Sequence, residues 1–197
     1  MGAEPGGIAG VTIEETMMQN RTQSRPLAFG LTILSALGRL VPHAPNVTPL
    51  GGSCLFAGSR VSGLWAYVLP LVVMIATDPF VGGYSYTSPA IYACFLINVF
   101  IGRRMLRSVT PVRVGLAAFL CSLQFFVLTI LAVWAGGVAR HNPLYLPGFN
   151  GLLACYVESL PFWGRTLAGD LLFSGALFGL YELLSRRTTT SKEPVTA

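Results

Sequence analysis

Charge is scarce in this chain. Only 11% of its 197 residues are Asp, Glu, Lys or Arg, against roughly 25% in a soluble globular domain. Histidine is rarer still, at two residues, and there is no His-Glu-x-x-His, no Gly-x-Ser-x-Gly and no phosphate-cradling Walker loop. Without such constellations neither hydrolytic chemistry nor nucleotide-driven work is expected of this chain alone, so it reads as a non-enzyme with no cofactor. The four cysteines, Cys54, Cys94, Cys121 and Cys155, form no Cys-x-x-Cys and have no histidine at metal-ligand spacing. They read as buried free thiols. The first 25 residues lack an apolar core and so make neither a secretory signal nor a span.

What is present is apolar and comes in blocks. Hydrophobic residues make up 53% of the chain, and its mean hydropathy is +0.62. From Val114 to Ala139 no charged residue occurs for 26 positions, enough to span a bilayer core, which takes about 20. The expected fold is all-α, a polytopic six-helix transmembrane bundle. Residues 1–25 form a disordered cytoplasmic tail, 26–186 the transmembrane domain and 187–197 a cytoplasmic C-terminal tail.

The blocks are separated by recognisable breaks. Pro42, Pro45 and Pro49 force a turn between a first segment, Leu27 to Val41, and a short glycine-rich one from Leu50 to about Ser62. A third block, Leu64 to Thr77, ends at Asp78-Pro79, and a fourth runs from about Pro89 to Ile101. The fifth is Val112 to Ala135, followed by a long polar loop, an amphipathic interfacial helix over Gly151 to Pro161, and a last span from Thr166 to Leu184. If residues 50–62 cross, ten of the thirteen Lys and Arg share one side with both termini, leaving Arg39, Arg140 and Arg165 opposite. The positive-inside rule makes that side the cytoplasm and predicts a bacterial inner-membrane, multi-pass protein. Five spans would divide the same charges nine to four.

Polar groups at the outer ends are the candidates for function, because ionisable residues in or beside spans are costly without a partner or a cavity. They are Arg39, Asn46, Thr48, Asp78, Tyr84, Tyr86, Glu158 and Asp170. Asp170, one turn inside the last span, either pairs with Arg39 or Arg165 or contacts a ligand. Asp78, before Pro79, either forms a turn at a helix end or binds. Lone His43 reads as a solvated loop residue, and Gln124 as an interhelical hydrogen bonder. Tyr84, Tyr86, Trp134, Phe162 and Trp163 suit an interfacial aromatic belt. Ala28, Thr32 and Ala36 form a smooth ridge, and Gly175-Ala-Leu-Phe-Gly179 a GxxxG, each suited to close helix packing.

Asn46-Val-Thr-Pro49, Gly51, Leu55-Phe-Ala-Gly58 and Asp78 with its nearby glycines resemble the opening of the S components of energy-coupling-factor (ECF) vitamin transporters. Residues 27–185 are also similar to an uncharacterised bacterial family of six-span proteins described as transport proteins. The shared features there include Asn46, Thr48, Pro49, Phe125-Phe126 to Trp134, Ala154-Cys-Tyr156, Pro161-Phe162 and Thr166 to Asp170. These resemblances imply a subunit that binds a micronutrient near the outer face, with a scaffold and ATPase subunits as partners. The Ala28, Thr32, Ala36 ridge would then meet the scaffold. The competing expectation is a non-catalytic structural subunit of an inner-membrane complex.

Overall fold

Three glycines in one eleven-residue helix should cost about 3 kcal/mol of intrinsic helix propensity. Yet that helix lies at the centre of the fold. The computed structural model describes residues 26–41 and 47–190, with side chains up to 185; the expected N-terminal tail, residues 191–197, His43 and Asn46 lie outside the described residues, while 187–190 of the expected C-terminal tail continue the last helix. Within them the chain is all-α with six helices. These are α1 (Pro26–Leu40, its last turn 3-10), α2 (Leu50–Arg60), α3 (Trp65–Val81), α4 (Ser88–Met105), α5 (Pro111–Ala139) and α6 (Phe149–Thr190).

Helix α2 is buried from Leu50 to Gly58 and packs against α3, α4, α5 and α6. Its small residues make this possible. A Cβ on Gly58 would run into the Val99 carbonyl of α4, and one on Gly102 of α4 would run into the Leu55 carbonyl of α2, so the two backbones touch. A helix of about 16 Å is thereby held by packing rather than by propensity. Its C-terminal half is pinned to α6 by Phe56, whose ring meets Phe178 at 5.2 Å and Tyr181 at 5.5 Å, both edge-on. On its other flank the Ser53 hydroxyl bridges the Ser35 hydroxyl of α1 at 2.6 Å and the Pro49 carbonyl at 2.7 Å.

The helices alternate in direction between two ends of the bundle. Leu50, at the start of α2, shares a cavity with Arg39 and Asp78. At the other end the Ser59 hydroxyl donates to the Leu106 carbonyl at 3.1 Å, and Arg103 donates to the Gly63 carbonyl at 3.1 Å. Helix α5 returns to the first end, where Arg140 lies 3.9 Å over the Tyr86 ring, and α6 ends beside Arg60 at the second. Arg60, Arg103, Arg104, Arg107 and Arg113 thus belong to one end and Arg39 and Arg140 to the other. Two helices, α5 and α6, are long and apolar enough to cross a membrane.

Several boundaries differ from the sequence reading. Asp78-Pro79 does not end α3, which continues to Val81, where Gly82 and Gly83 N–H groups close on the Asp78 carbonyl at 3.2 and 2.7 Å. The expected interfacial helix and last span are one helix of 42 residues, about 63 Å long. Pro161 sits inside it without ending it, because ring contacts to α5 flank the proline: Phe126 meets Tyr156 before it and Trp163 after it. The Ala28, Thr32, Ala36 ridge is buried in the chain's own core, at 1%, 0% and 0% exposure. An external scaffold helix therefore has no access to it, since burial inside the chain has already used the small faces. Gly175 and Gly179 also depart from expectation, for a Cβ on either would meet nothing within 4 Å.

Gly58→Ala and Gly102→Ala are expected to lower stability by about 1–3 kcal/mol each through overpacking, while Gly164→Ala, whose Cβ would meet nothing, leaves stability unchanged or raises it. Thermal unfolding of the purified variants in one detergent checks this; equal midpoints for all three would remove the α2–α4 contact from the account.

Candidate functional site

Helix α1 tightens into a 3-10 turn over Gly38–Leu40, and that turn carries Arg39 towards α3. Thr77 and Asp78 both lie about one turn after Met74 on α3, and all three face inward. Arg39 Nη1 lies 2.8 Å from Asp78 Oδ1 and 3.5 Å from the Met74 carbonyl. The other carboxylate oxygen, Oδ2, accepts a hydrogen bond from the Tyr92 hydroxyl of α4. Three helices are thus tied by one carboxylate, with the Arg39 and Asp78 side chains only 13% and 9% exposed. Asp78 makes a tertiary ion pair, not the local turn that its place before Pro79 suggested.

These groups form one wall of a cavity of about 230 Å³ that Ser85, Ser88 and Phe95 help to close. Gly83, at φ +78°, turns the chain over its rim in a conformation that suits glycine. The volume lies just below the roughly 300–1,000 Å³ of sites for drug-sized ligands.

Asp170 occupies a separate position. It is 4% exposed, on the far side of α2, where a Cβ on Gly51 would collide with its carboxylate. Among the described residues it makes no ion pair, and Arg39, one of its two expected partners, is committed to Asp78. The first turn of α2 presents its positive dipole end to this carboxylate. Ser122 and Ser174, both 0% exposed on α5 and α6, have hydroxyls without a hydrogen-bond partner among the described residues. The preceding Gly169 lets the chain at Val47 and Thr48 approach α6, with 3.3 Å from its Cβ position to Val47 Cα.

The other expected site residues are scattered. Thr48 is local, its Oγ1 accepting from the Leu50 N–H at 3.3 Å at the start of α2. Tyr84 is 61% exposed and donates to the Ile75 carbonyl at 2.8 Å. Tyr86 packs on α5 under Arg140 rather than on the Arg39 cavity. Glu158 is exposed on α6, about 18 Å along the helix from Asp170. Arg165 is exposed as well. Gln124 does bridge helices, donating to the Cys94 carbonyl at 3.0 Å and to Asn98 Oδ1 at 2.7 Å. Three cysteines are buried and Cys155 is half-buried. The residue missed was Tyr92. Its one signal in the sequence was a phenol set within an apolar block, where a hydroxyl usually finds a partner.

A family model described as a family of unknown function, DUF6580, matches residues 19–193, nearly the whole chain, and the chain belongs to that family. No curated protein and no solved structure matches it.

Asp78→Ala strands Arg39 in a largely buried site and is expected to cost about 3–5 kcal/mol, the range for breaking one partner out of a buried pair. Replacing both partners, Arg39→Met with Asp78→Leu, is expected to cost less than the single change. Unfolding midpoints of the two variants check this; a double variant less stable than Asp78→Ala would show that the pair itself, not the stranded charge, carries the stability.

Proposed function

We propose that this DUF6580 protein is a six-span integral membrane protein of the bacterial inner membrane that recognises a small polar micronutrient. It would be the substrate-binding subunit of an uptake system, with Arg39, Asp78 and Tyr92 as the recognition groups. The observation that carries this reading is the 230 Å³ cavity walled by a guanidinium, a carboxylate and a phenol at the end of the bundle away from the arginine cluster. A bound solute with one cationic and one anionic group would take over the two halves of the Arg39–Asp78 contact. The end-to-end course of α2 supports the six-span reading, because its short length is covered by four neighbours rather than by lipid. With no nucleotide-binding motif in the chain, energy for uptake would come from scaffold and ATPase subunits.

One observation favours the second reading, a non-catalytic subunit of an inner-membrane complex. Arg39 and Asp78 already satisfy each other, so they need no ligand.

Native mass spectrometry of protein purified from its own membranes separates the two. A retained small molecule is expected, and Tyr92→Phe, which removes one hydrogen bond to a charged group, should weaken its retention roughly tenfold. No retained molecule, together with Arg39→Gln disrupting a defined complex while solute uptake stays intact, would reject the transport reading in favour of the structural one.

A further inference from the structure

Helices α5 and α6 are zipped at one end and splayed at the other. From the middle of α5 towards their connection they are tied together: Phe126 stacks on Trp163 with ring centres 5.4 Å apart, the Tyr156 hydroxyl donates to the Val127 carbonyl at 2.7 Å, and Trp134 Nε1 donates to the Leu146 carbonyl at 3.0 Å. Towards the arginine-rich end, α6 leans instead on α2 through Phe178 and Tyr181. Between the start of α5 and this half of α6 a cleft of about 690 Å³ remains. Gly115, Gly175 and Gly179 lie along it, and a Cβ on any of them would meet nothing within 4 Å. The GxxxG is therefore open within the chain. Val114, Leu171 and Phe178 add apolar walls.

The lip of the cleft is cationic. Arg60 and Arg107 line it against a single carboxylate, Glu182. The Arg60 guanidinium lies 4.7 Å from the Tyr181 ring, and its Nε, shielded from solvent, has no hydrogen-bond acceptor among the described residues. The two guanidiniums that line the lip offer N–H donors to an oxyanion placed there. An apolar trough with a guanidinium pair at its mouth matches an amphiphile with an anionic head.

We propose that this cleft holds one anionic phospholipid, its phosphate on Arg60 and Arg107 and an acyl chain along the glycines. The volume falls within the roughly 300–1,000 Å³ of sites that hold small molecules. Basic pockets between helices at the cytoplasmic side are where anionic head groups bind. An apolar helix from a partner would fill the trough but bring no anion to the two guanidiniums at its mouth. The proposal rests on the membrane reading above and is independent of the Arg39 cavity.

The test places the full chain in nanodiscs of phosphatidylglycerol and phosphatidylcholine and counts retained lipids by native mass spectrometry. One phosphatidylglycerol is expected to be retained in preference to phosphatidylcholine. Arg60→Gln and Arg107→Gln should each weaken that preference about fivefold, and Gly175→Leu should abolish retention by filling the trough. Arg103→Gln, at the same end but outside the cleft, should leave it unchanged. Equal retention of the two lipids, or an equal effect of Arg103→Gln, overturns the proposal. So does a Gly175→Leu variant that keeps its lipid but changes oligomeric state, which would assign the cleft to a partner helix. Failure to enter nanodiscs would reject the membrane reading itself, whereas entry without lipid preference rejects this proposal alone.

Discussion

The contact between the α2 and α4 backbones governs the rest of the structure. Gly58 lies against the Val99 carbonyl and Gly102 against the Leu55 carbonyl, a reciprocal arrangement that only residues without a Cβ permit. Because α2 is narrow, four helices gather around it. Because it is short, its two ends must be covered by longer neighbours. The intrinsic cost of its glycines is offset by dispersion and by burial of Cys54, Leu55, Phe56 and Ala57, all at 0% exposure.

That central helix also separates the polar groups. Leu50 borders the Arg39–Asp78–Tyr92 cavity, and the next residue, Gly51, touches Asp170 on the opposite side. Two buried carboxylates thus flank one helix N-terminus in different surroundings. Asp78 has an arginine and a phenol, while Asp170 faces small residues and the dipole of α2. Aromatic packing does the corresponding work further out, where the rings on α5 and α6 hold one end closed and leave the glycine-lined end open.

Much of this was legible from residue order. The charge-free run from Val114 to Ala139 became α5, Pro49 stands directly before α2, and Gln124 found its interhelical partners because a buried amide in an apolar helix needs them. What misled was local punctuation. Asp78-Pro79 and Pro161 read as helix ends, but tertiary contacts carried α3 and α6 through both prolines. The site was only half visible. Arg39 and Asp78 stood out as charges, yet their pairing joins residues 39 positions apart, and nothing local distinguishes it from an Arg39–Asp170 pair. Tyr92 was hidden by its apolar neighbours. The small-residue ridge of α1 carried the right packing chemistry but no information on whether its partner was internal.

The central claim is that α2 carries the chain across the bilayer, from the Arg39–Asp78 end to the arginine-rich end. Ser62 follows α2 and Ser85 follows α3, and both are exposed. Single cysteines at these two positions, with half-buried Cys155 replaced by serine, can be labelled in intact cells by a membrane-impermeant thiol reagent. The account predicts that Ser85→Cys reacts from outside while Ser62→Cys reacts only after the cells are opened. Labelling of both from the same side would contradict it.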